Sequence, residues 1–446
     1  MNNNFSFIYP KSKHRHENSD FFMAKTEGGD TVLVVSGPDM ELFDGSSEGS
    51  KQKFCPLTVE NSKTLRKLFS FTNPVSHKGH DITMGLGDRL GLASGGHIKA
   101  VCDTGAFPVL AQQSMRELNL TGRSYDDVLS SVVWAVFREG YTTGYGADGD
   151  HLKTREEVKY AIDCGFSMIT LDCSEHIMPG SAASGVSSGI SNDAAPGQIY
   201  LPAIEHTVSI YKEFIDGTNL DFEISLDETS FSMSPEAHLF VAKELHSRGV
   251  KFTSLAPRFP GEFQKGINYR GDLAEFEREF SAHAQIARDF GYKLSVHSGS
   301  DKFSVFPSIG KLSGGKFHLK TAGTSWLEAV RVIALTRPSL YREVHTFALA
   351  NLPEAKKYYH ITEDVTKIPD IHGLSDTEIH AYMDADDSRQ VLHITYGLLL
   401  SAKTSDGTSL FRDRIYETLQ KHEYEYEIAL IKHIGRHLEA LSLGVM

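Results

Sequence analysis

The chain has 446 residues, with 45 Lys and Arg against 58 Asp and Glu, and a formal charge of −13 at pH 7. That length suits one large domain with additions or a few average ones, and a hydrophobic content of 40% with 10% aromatics excludes wholesale disorder. The acidic balance argues against a nucleic-acid partner or an anionic membrane surface, since both call for clustered Lys and Arg.

No apolar run reaches the ~18–20 residues of a membrane helix. The opening Met1-Asn2-Asn3-Asn4-Phe5 has no basic region followed by an apolar stretch, so no secretory signal and a cytoplasmic location are expected. Cys55, Cys102, Cys164 and Cys173 form no CxxC pair and are too few for a disulfide framework in so long a chain. They are expected to be reduced, buried thiols.

In chain order, residues 1–75 read as an appended β layer. Phe21-Phe22-Met23-Ala24 and Thr31-Val32-Leu33-Val34-Val35 are strand candidates, and Glu27-Gly28-Gly29-Asp30 between them is a hairpin turn. Residues 44–50 read as a polar Gly/Ser loop. From residue 76 to 337 short apolar segments alternate with amphipathic ones. Strands are expected at 81–85, 107–111, 141–145, 167–171, 222–226, 251–255, 293–297 and 316–320.

The helices between them carry start and stop signals. Ser124 opens one that Gly140 closes. Thr154-Arg155-Glu156-Glu157 is a capping box, with Gly165 at the far end. Ser234-Pro235 places a cap before a first-turn proline. Alternation of this kind requires parallel strands joined by crossovers. Eight units over about 250 residues is the length of a closed (β/α)8 barrel, with an open doubly wound sheet as the alternative. Residues 174–202 interrupt the rhythm and read as an inserted loop, a candidate lid. Residues 338–446 read as a helical C-terminal extension.

In such a barrel the chemistry gathers at the C-terminal ends of the strands, and here nearly every strand end is polar. His151, His297 and His318, with Glu228, are expected to converge as ligands of a divalent transition metal. Asp150 reads as a general base, a residue orienting His151, or a turn residue. Glu228 and Glu262 are candidates for the complementary acid. Arg89, Arg258, Lys302 and Lys320 suit a substrate carboxylate or phosphate. Ten further histidines, His14, His16, His77, His206, His246, His345, His372, His393, His433 and His437, read as surface or packing residues. No GxGxxG follows a strand and no GxxxxGK[ST] occurs, so there is no dinucleotide or P-loop signal.

Four segments carry a resemblance. They are His80 to Gly91, Gly149-Asp150-His151-Leu152-Lys153, Ser295 to Ser304, and Phe317 to Thr324. They resemble the tagaturonate/fructuronate epimerase family, from about residue 75 to the C-terminus. The resemblance implies a barrel-like fold, a divalent metal (Zn, Mn, Fe or Co) and interconversion of two keto-hexuronates. It implies that Asp150 is the proton acceptor, and that His151 and His297 are metal ligands. It leaves the third ligand and the proton donor open, with His318 and either Glu262 or Glu228 as the choices. The expected chemistry is retro-aldol cleavage and re-addition. Transient oxidation would need NAD, for which no fingerprint exists. The alternative is another metal-dependent barrel enzyme of sugar acids, an isomerase, aldolase or hydrolase.

Overall fold

The computed structural model describes residues 5–48, 51–178, 196–362 and 364–443. The N-terminal part is a six-stranded antiparallel sheet of β1 (Phe5–Ile8), β2 (His14–His16), β3 (Ser19–Thr26), β4 (Thr31–Ser36), β5 (Ser46–Glu48) and β6 (Gln52–Pro56). The strand order is β1-β3-β4-β6-β5, with β2 also on β3. The β3–β4 hairpin turns at Glu27–Asp30, with Gly29 at φ 93°. The predicted loop at 44–50 instead holds β5, which pairs along β6 and exposes Ser46 and Ser47; residues 49–50 lie outside the described part. The sheet is joined to the rest of the chain through a common core. Phe21 and Leu33 share one apolar cluster with Phe69 and Phe137, and the Phe69 and Phe137 rings lie 5.3 Å apart.

Eight parallel strands then close a barrel. They are β7 (Ile82–Leu86), β8 (Phe107–Ser114), β9 (Gly146–Leu152), β10 (Met168–Asp172), β11 (Asp221–Leu226), β12 (Ser254–Pro257), β13 (Lys293–Val296) and β14 (Phe317–Thr321). The ring closes where β14 pairs β7, from Phe317 with Ile82 to Thr321 with Leu86. Thus all eight expected strands exist, but the third is displaced from 141–145 to 146–152. Its Gly and Asp content reads as a turn, and packing overrides that preference. A Cβ on Gly146 would meet Val109, one on Gly149 would meet Ala161 at 2.8 Å, and the two aspartates find a buried lysine.

The helix signals act as written. Ser124 and Thr154 both form full capping boxes, on helices Tyr125–Glu139 and Arg155–Cys164, each ended by a left-handed glycine. Ser234 caps Pro235–Ser247. Of the suspected lid, residues 179–195 lie outside the described part, and from Pro196 the chain is already helix, to Ile210. The C-terminal extension is helical, and its last stretch is two helices, Arg412–Lys421 and Glu423–Ala440. A second apolar core around Trp326, Tyr341 and Tyr396 joins it to the barrel, and Trp326 Nε1 donates to Leu392 O at 2.8 Å. The cysteines are free, but only Cys55 and Cys173 are buried; Cys164 is half-buried and Cys102 exposed. Among the described residues no helix is long and apolar enough to cross a membrane.

The N-terminal end of the barrel is shut by the segment before β7. Asp221, at the start of β11, accepts from Ser76 Oγ at 2.9 Å and from the His77 backbone N–H at 2.7 Å. Lys293 Nζ reaches His77 Nδ1 at 3.0 Å and Thr83 Oγ1 at 3.1 Å. Replacing Asp221 strands a buried N–H, which costs about 2–3 kcal/mol with the second bond included. Urea unfolding of Asp221→Ala is expected to show that loss. Turnover per folded molecule should stay at the wild-type value, because the other end of the strand faces the site.

Candidate active site

At the C-terminal end, β9 is bent into a bulge. Its pairing with β10 skips from Gly149 to Leu152, and His151 adopts φ 52°, a left-handed conformation uncommon outside glycine. In a regular strand neighbours point to opposite faces; here the bulge lets both Asp150 and His151 face the mouth. They line one small cavity of about 60 Å³ with Asp227, Glu228, His297, Lys302 and Lys320.

Three side chains meet there from different strands. His151 comes from β9, Asp227 directly follows β11, and His297 directly follows β13. One potential ligand atom of each lies within 4.8 Å of the others, and the imidazole centroids are 4.8 Å apart. The far ring nitrogens are held by carboxylates. His151 Nδ1 faces Asp150 Oδ1 at 2.8 Å, and His297 Nε2 faces Glu223 Oε1 at 2.7 Å. The near ones face Asp227 Oδ1, His151 Nε2 at 3.7 Å and His297 Nδ1 at 3.0 Å. Carboxylates behind both rings fix the tautomer and raise ligand basicity. Two imidazoles and a carboxylate suit Zn, Mn, Fe or Co, and the donor set fits a divalent cation.

Beneath this group, on the barrel axis, Lys320 Nζ lies 2.7 Å from Asp148, 2.7 Å from Asp150 and 2.8 Å from Glu223, with Thr170 Oγ1 at 2.6 Å. Burial opposes every one of these charges. Around Lys320 the three carboxylates outweigh it and hold its pKa well above the usual range. Burial lifts Asp148 to about 6, against the pull of Lys320. For Asp150, His151 and Lys320 overcome burial and keep the carboxyl well below its ordinary value. Both groups bind Asp150 through Oδ1. Among the described residues no hydrogen bond reaches Oδ2.

The other predicted residues scatter. His318 does not join the ligand group. It lies one layer down in β14, accepting from or donating to Thr83 Oγ1 at 2.7 Å, and burial lowers its pKa to about 3. Glu228 lines the cavity but stands beside Asp227 rather than in the ligand group, 3.6 Å from Arg116. Glu262 and Arg258 line an adjoining cavity of about 260 Å³. Arg258 donates to Asp227 O at 3.3 Å, and the Glu262 carboxylate accepts from Gln264. Arg89 is walled off: it pairs with Glu117 at 3.0 Å and lies 3.7 Å over the Tyr396 ring. Lys302 reaches the cavity wall, yet all three of its N–H donors go to backbone carbonyls, of Gln264, Ile267 and Ser300. Burial lowers its pKa to about 7.

Asp227, Glu223, Arg116 and Lys265 were not singled out by sequence. For the first two a signal existed: Glu223, Ser225 and Asp227 share the inward face of β11 at period two, whereas Glu228 is out of phase. For Lys320 the structure makes a firm demand. Removing one member of a buried ionic group costs about 3–5 kcal/mol. Lys320→Met should lose stability on that scale in urea unfolding at neutral pH, well beyond the loss from any exposed lysine.

The likeness to known proteins spans nearly the whole chain. The family model described as tagaturonate epimerase matches residues 9–188 and 194–441. The tagaturonate/fructuronate epimerase of Thermotoga maritima is 40% identical over 475 aligned positions, covering 98% of this chain and 97% of that protein. A glycerol-complexed crystal structure of the fructuronate-tagaturonate epimerase of Cohnella laeviribosi superposes with a TM-score of 0.94 at 46% identity, covering 98% of this chain and 96% of that one. The native crystal structure of the same enzyme gives 0.93 at 45%. By family match, identity and fold alike, this chain belongs to the tagaturonate epimerase family.

Proposed function

We propose that this chain interconverts tagaturonate and fructuronate by breaking and re-forming a carbon–carbon bond, with a divalent cation held by His151, Asp227 and His297. Family membership supports the substrate pair. The observation that carries the metal reading is that the two ring nitrogens facing Asp227 are the ones not engaged by Asp150 and Glu223. A further group, Asp301 with His433 and His437, also clusters, but its atoms are spent. His437 Nε2 accepts from the Asp301 N–H at 3.0 Å, and the Asp301 carboxylate takes His433 and Arg389. The free, unpaired cysteines support a reducing, cytoplasmic setting.

The carbon to be inverted lies two bonds from the ketone carbon, so direct enolisation does not acidify its C–H. Asp150 Oδ2 instead takes the proton of the hydroxyl on that carbon. The bond to the neighbouring carbon breaks, its electron pair passes toward the ketone, and an enediolate and an aldehyde result. The aldehyde turns its other face, the enediolate carbon attacks it, and Asp150 returns the proton to the new alkoxide. A bound divalent cation supplies Lewis-acid stabilisation of the negative charge that develops on the ketone and hydroxyl oxygens. Lys320 keeps Asp150 ionised and pointed at the mouth between turnovers.

NMR of tagaturonate with the enzyme should show fructuronate growing in, stopping after chelation and resuming when a divalent metal is returned. Persistence of full activity in metal-free protein would remove the cation from this reading. Release of the two fragments without epimer would make the chain an aldolase instead. Asp150→Asn should lower kcat by about 10²-fold or more, the usual range for a general base, with metal content unchanged. His297→Ala should lower the metal bound per chain by elemental analysis.

A further inference from the structure

A cation is expected to hold the substrate carboxylate, and of the four singled out for that role Arg89, Lys302 and Lys320 are engaged elsewhere, while Arg258 lines only the adjoining cavity and donates to Asp227 O at 3.3 Å. Arg89 is bound to Glu117 and Lys320 to three carboxylates. Lys302 spends its three donors on backbone oxygens, which ties the 264–267 segment to the loop after β13. The same segment is held from the C-terminal extension. Arg389 Nε donates to Gly266 O at 2.8 Å, and Gln390 Nε2 to Gln264 Oε1 at 2.7 Å. A surface loop is not normally fixed at so many points. What it presents is Lys265.

Lys265 lines both the cavity at Asp150 and the larger cavity beside it. Its side chain is half-buried, and its Nζ donates to Ser298 Oγ at 2.9 Å. Among the described residues it has no ion-pair partner, so two of its three donors remain for a ligand. Ser298 is the neighbour of His297 and stands at φ 50°, so the ammonium sits close behind the metal-ligand group. Arg116 lines both cavities as well; after burial, it is the group that most opposes the charge on Lys265. Of the carboxylates near these two cations, Glu117 is paired with Arg89 and Glu228 is half-exposed at 3.6 Å from Arg116, which leaves room for a ligand anion.

We propose that Lys265, with Arg116 beside it, anchors the carboxylate of the keto-hexuronate and so holds the fragment that must turn. This rests on the epimerase reading above. In a keto-hexuronate the carboxylate is at the end remote from the ketone, two bonds from the inverted carbon. Cleavage therefore leaves it on the aldehyde fragment. Rotation about the bond that joins the aldehyde carbon to the carbon bearing the carboxylate presents the other aldehyde face while the carboxylate stays in place. The anchor thus allows inversion and prevents escape in one arrangement.

The test uses Lys265→Met, Lys265→Arg and the metal-loaded wild-type enzyme. Glycerate serves as a turnover-free probe, since it matches the three-carbon fragment with its aldehyde reduced. In Lys265→Met, KM for tagaturonate and the inhibition constant of glycerate should both rise about 10- to 100-fold, the scale of one charged hydrogen-bond contact. Free three-carbon aldehyde acid should leak into solution, metal content should be unchanged, and Lys265→Arg should recover part of the affinity. Lys265→Gln replaces the Met variant if that one does not fold. Wild-type glycerate binding and turnover in the neutral variants overturn the anchor and leave the epimerase reading standing. No interconversion by the wild-type enzyme overturns both.

Discussion

Lys320 brings a single positive charge into a space that Asp148, Asp150 and Glu223 fill with negative charge, all of it cut off from solvent. Without that ammonium Asp148 would be a buried carboxylate with no cation, and Asp150 and Glu223 would be left to His151 and His297 alone, so folding would carry much of their desolvation cost. With it, the carboxylates are still in excess, and Asp227 adds a fourth close above. An excess of this kind raises the pKa of His151 and His297 against the burial that lowers both. The same field that favours protons on those rings favours a divalent cation in their place. The Lys320 cluster therefore supports the fold and helps keep Asp150 ionised, while the surplus carboxylates act on the two neighbouring imidazoles.

The site is assembled by local departures from regular geometry. The bulge at Asp150-His151 turns two successive side chains to one face. Ser298 and Asp301 take positive φ at 50° and 63°, which folds the loop after β13 back over the mouth. Each such residue carries a strain of order 1–3 kcal/mol. It is retained because the surrounding bonds are numerous: Gly299 N donates to Lys320 O at 2.8 Å, and the Asp301 N–H to His437 at 3.0 Å.

Local signals carried the architecture well. Ser124, Thr154 and Ser234 cap the helices they announce because a cap depends on four consecutive residues and little else. The barrel came from the alternation of strand and helix patterns. The third strand was misplaced because its glycines and aspartates obey contacts with Val109, Ala161 and Lys320, which local preference does not contain. At the site, Asp150, His151 and His297 were legible as strand-end polar residues and from the family resemblance, and the structure brings them together. Asp227 was within reach of the period-two pattern that includes Glu223. His318 shares the inward face with Lys320, but depth along the axis separates them, and sequence gives no measure of depth. Lys265 was beyond any local pattern, since nothing about a lysine in a loop distinguishes it until its neighbours are known to be engaged.

The C-terminal extension is part of this machinery. Asp301 receives His433 at 2.6 Å and Arg389 at 2.7 Å, from two different helices of the extension. Burial works against the charge on His433, but Asp301 lifts its pKa to about 9, so the pair is ionic at neutral pH. A charged, buried and fully bonded carboxylate cannot shift without breaking several contacts at once. Asp301 lies next to Lys302, which in turn grips the 264–267 segment. The helices of the extension thus fix, through one aspartate and one lysine, the loops that carry His297 on one side and Lys265 on the other. The separation of His297 and Lys265 is set by a frame outside the barrel, which gives the chain a reason to keep more than eight strands and their helices.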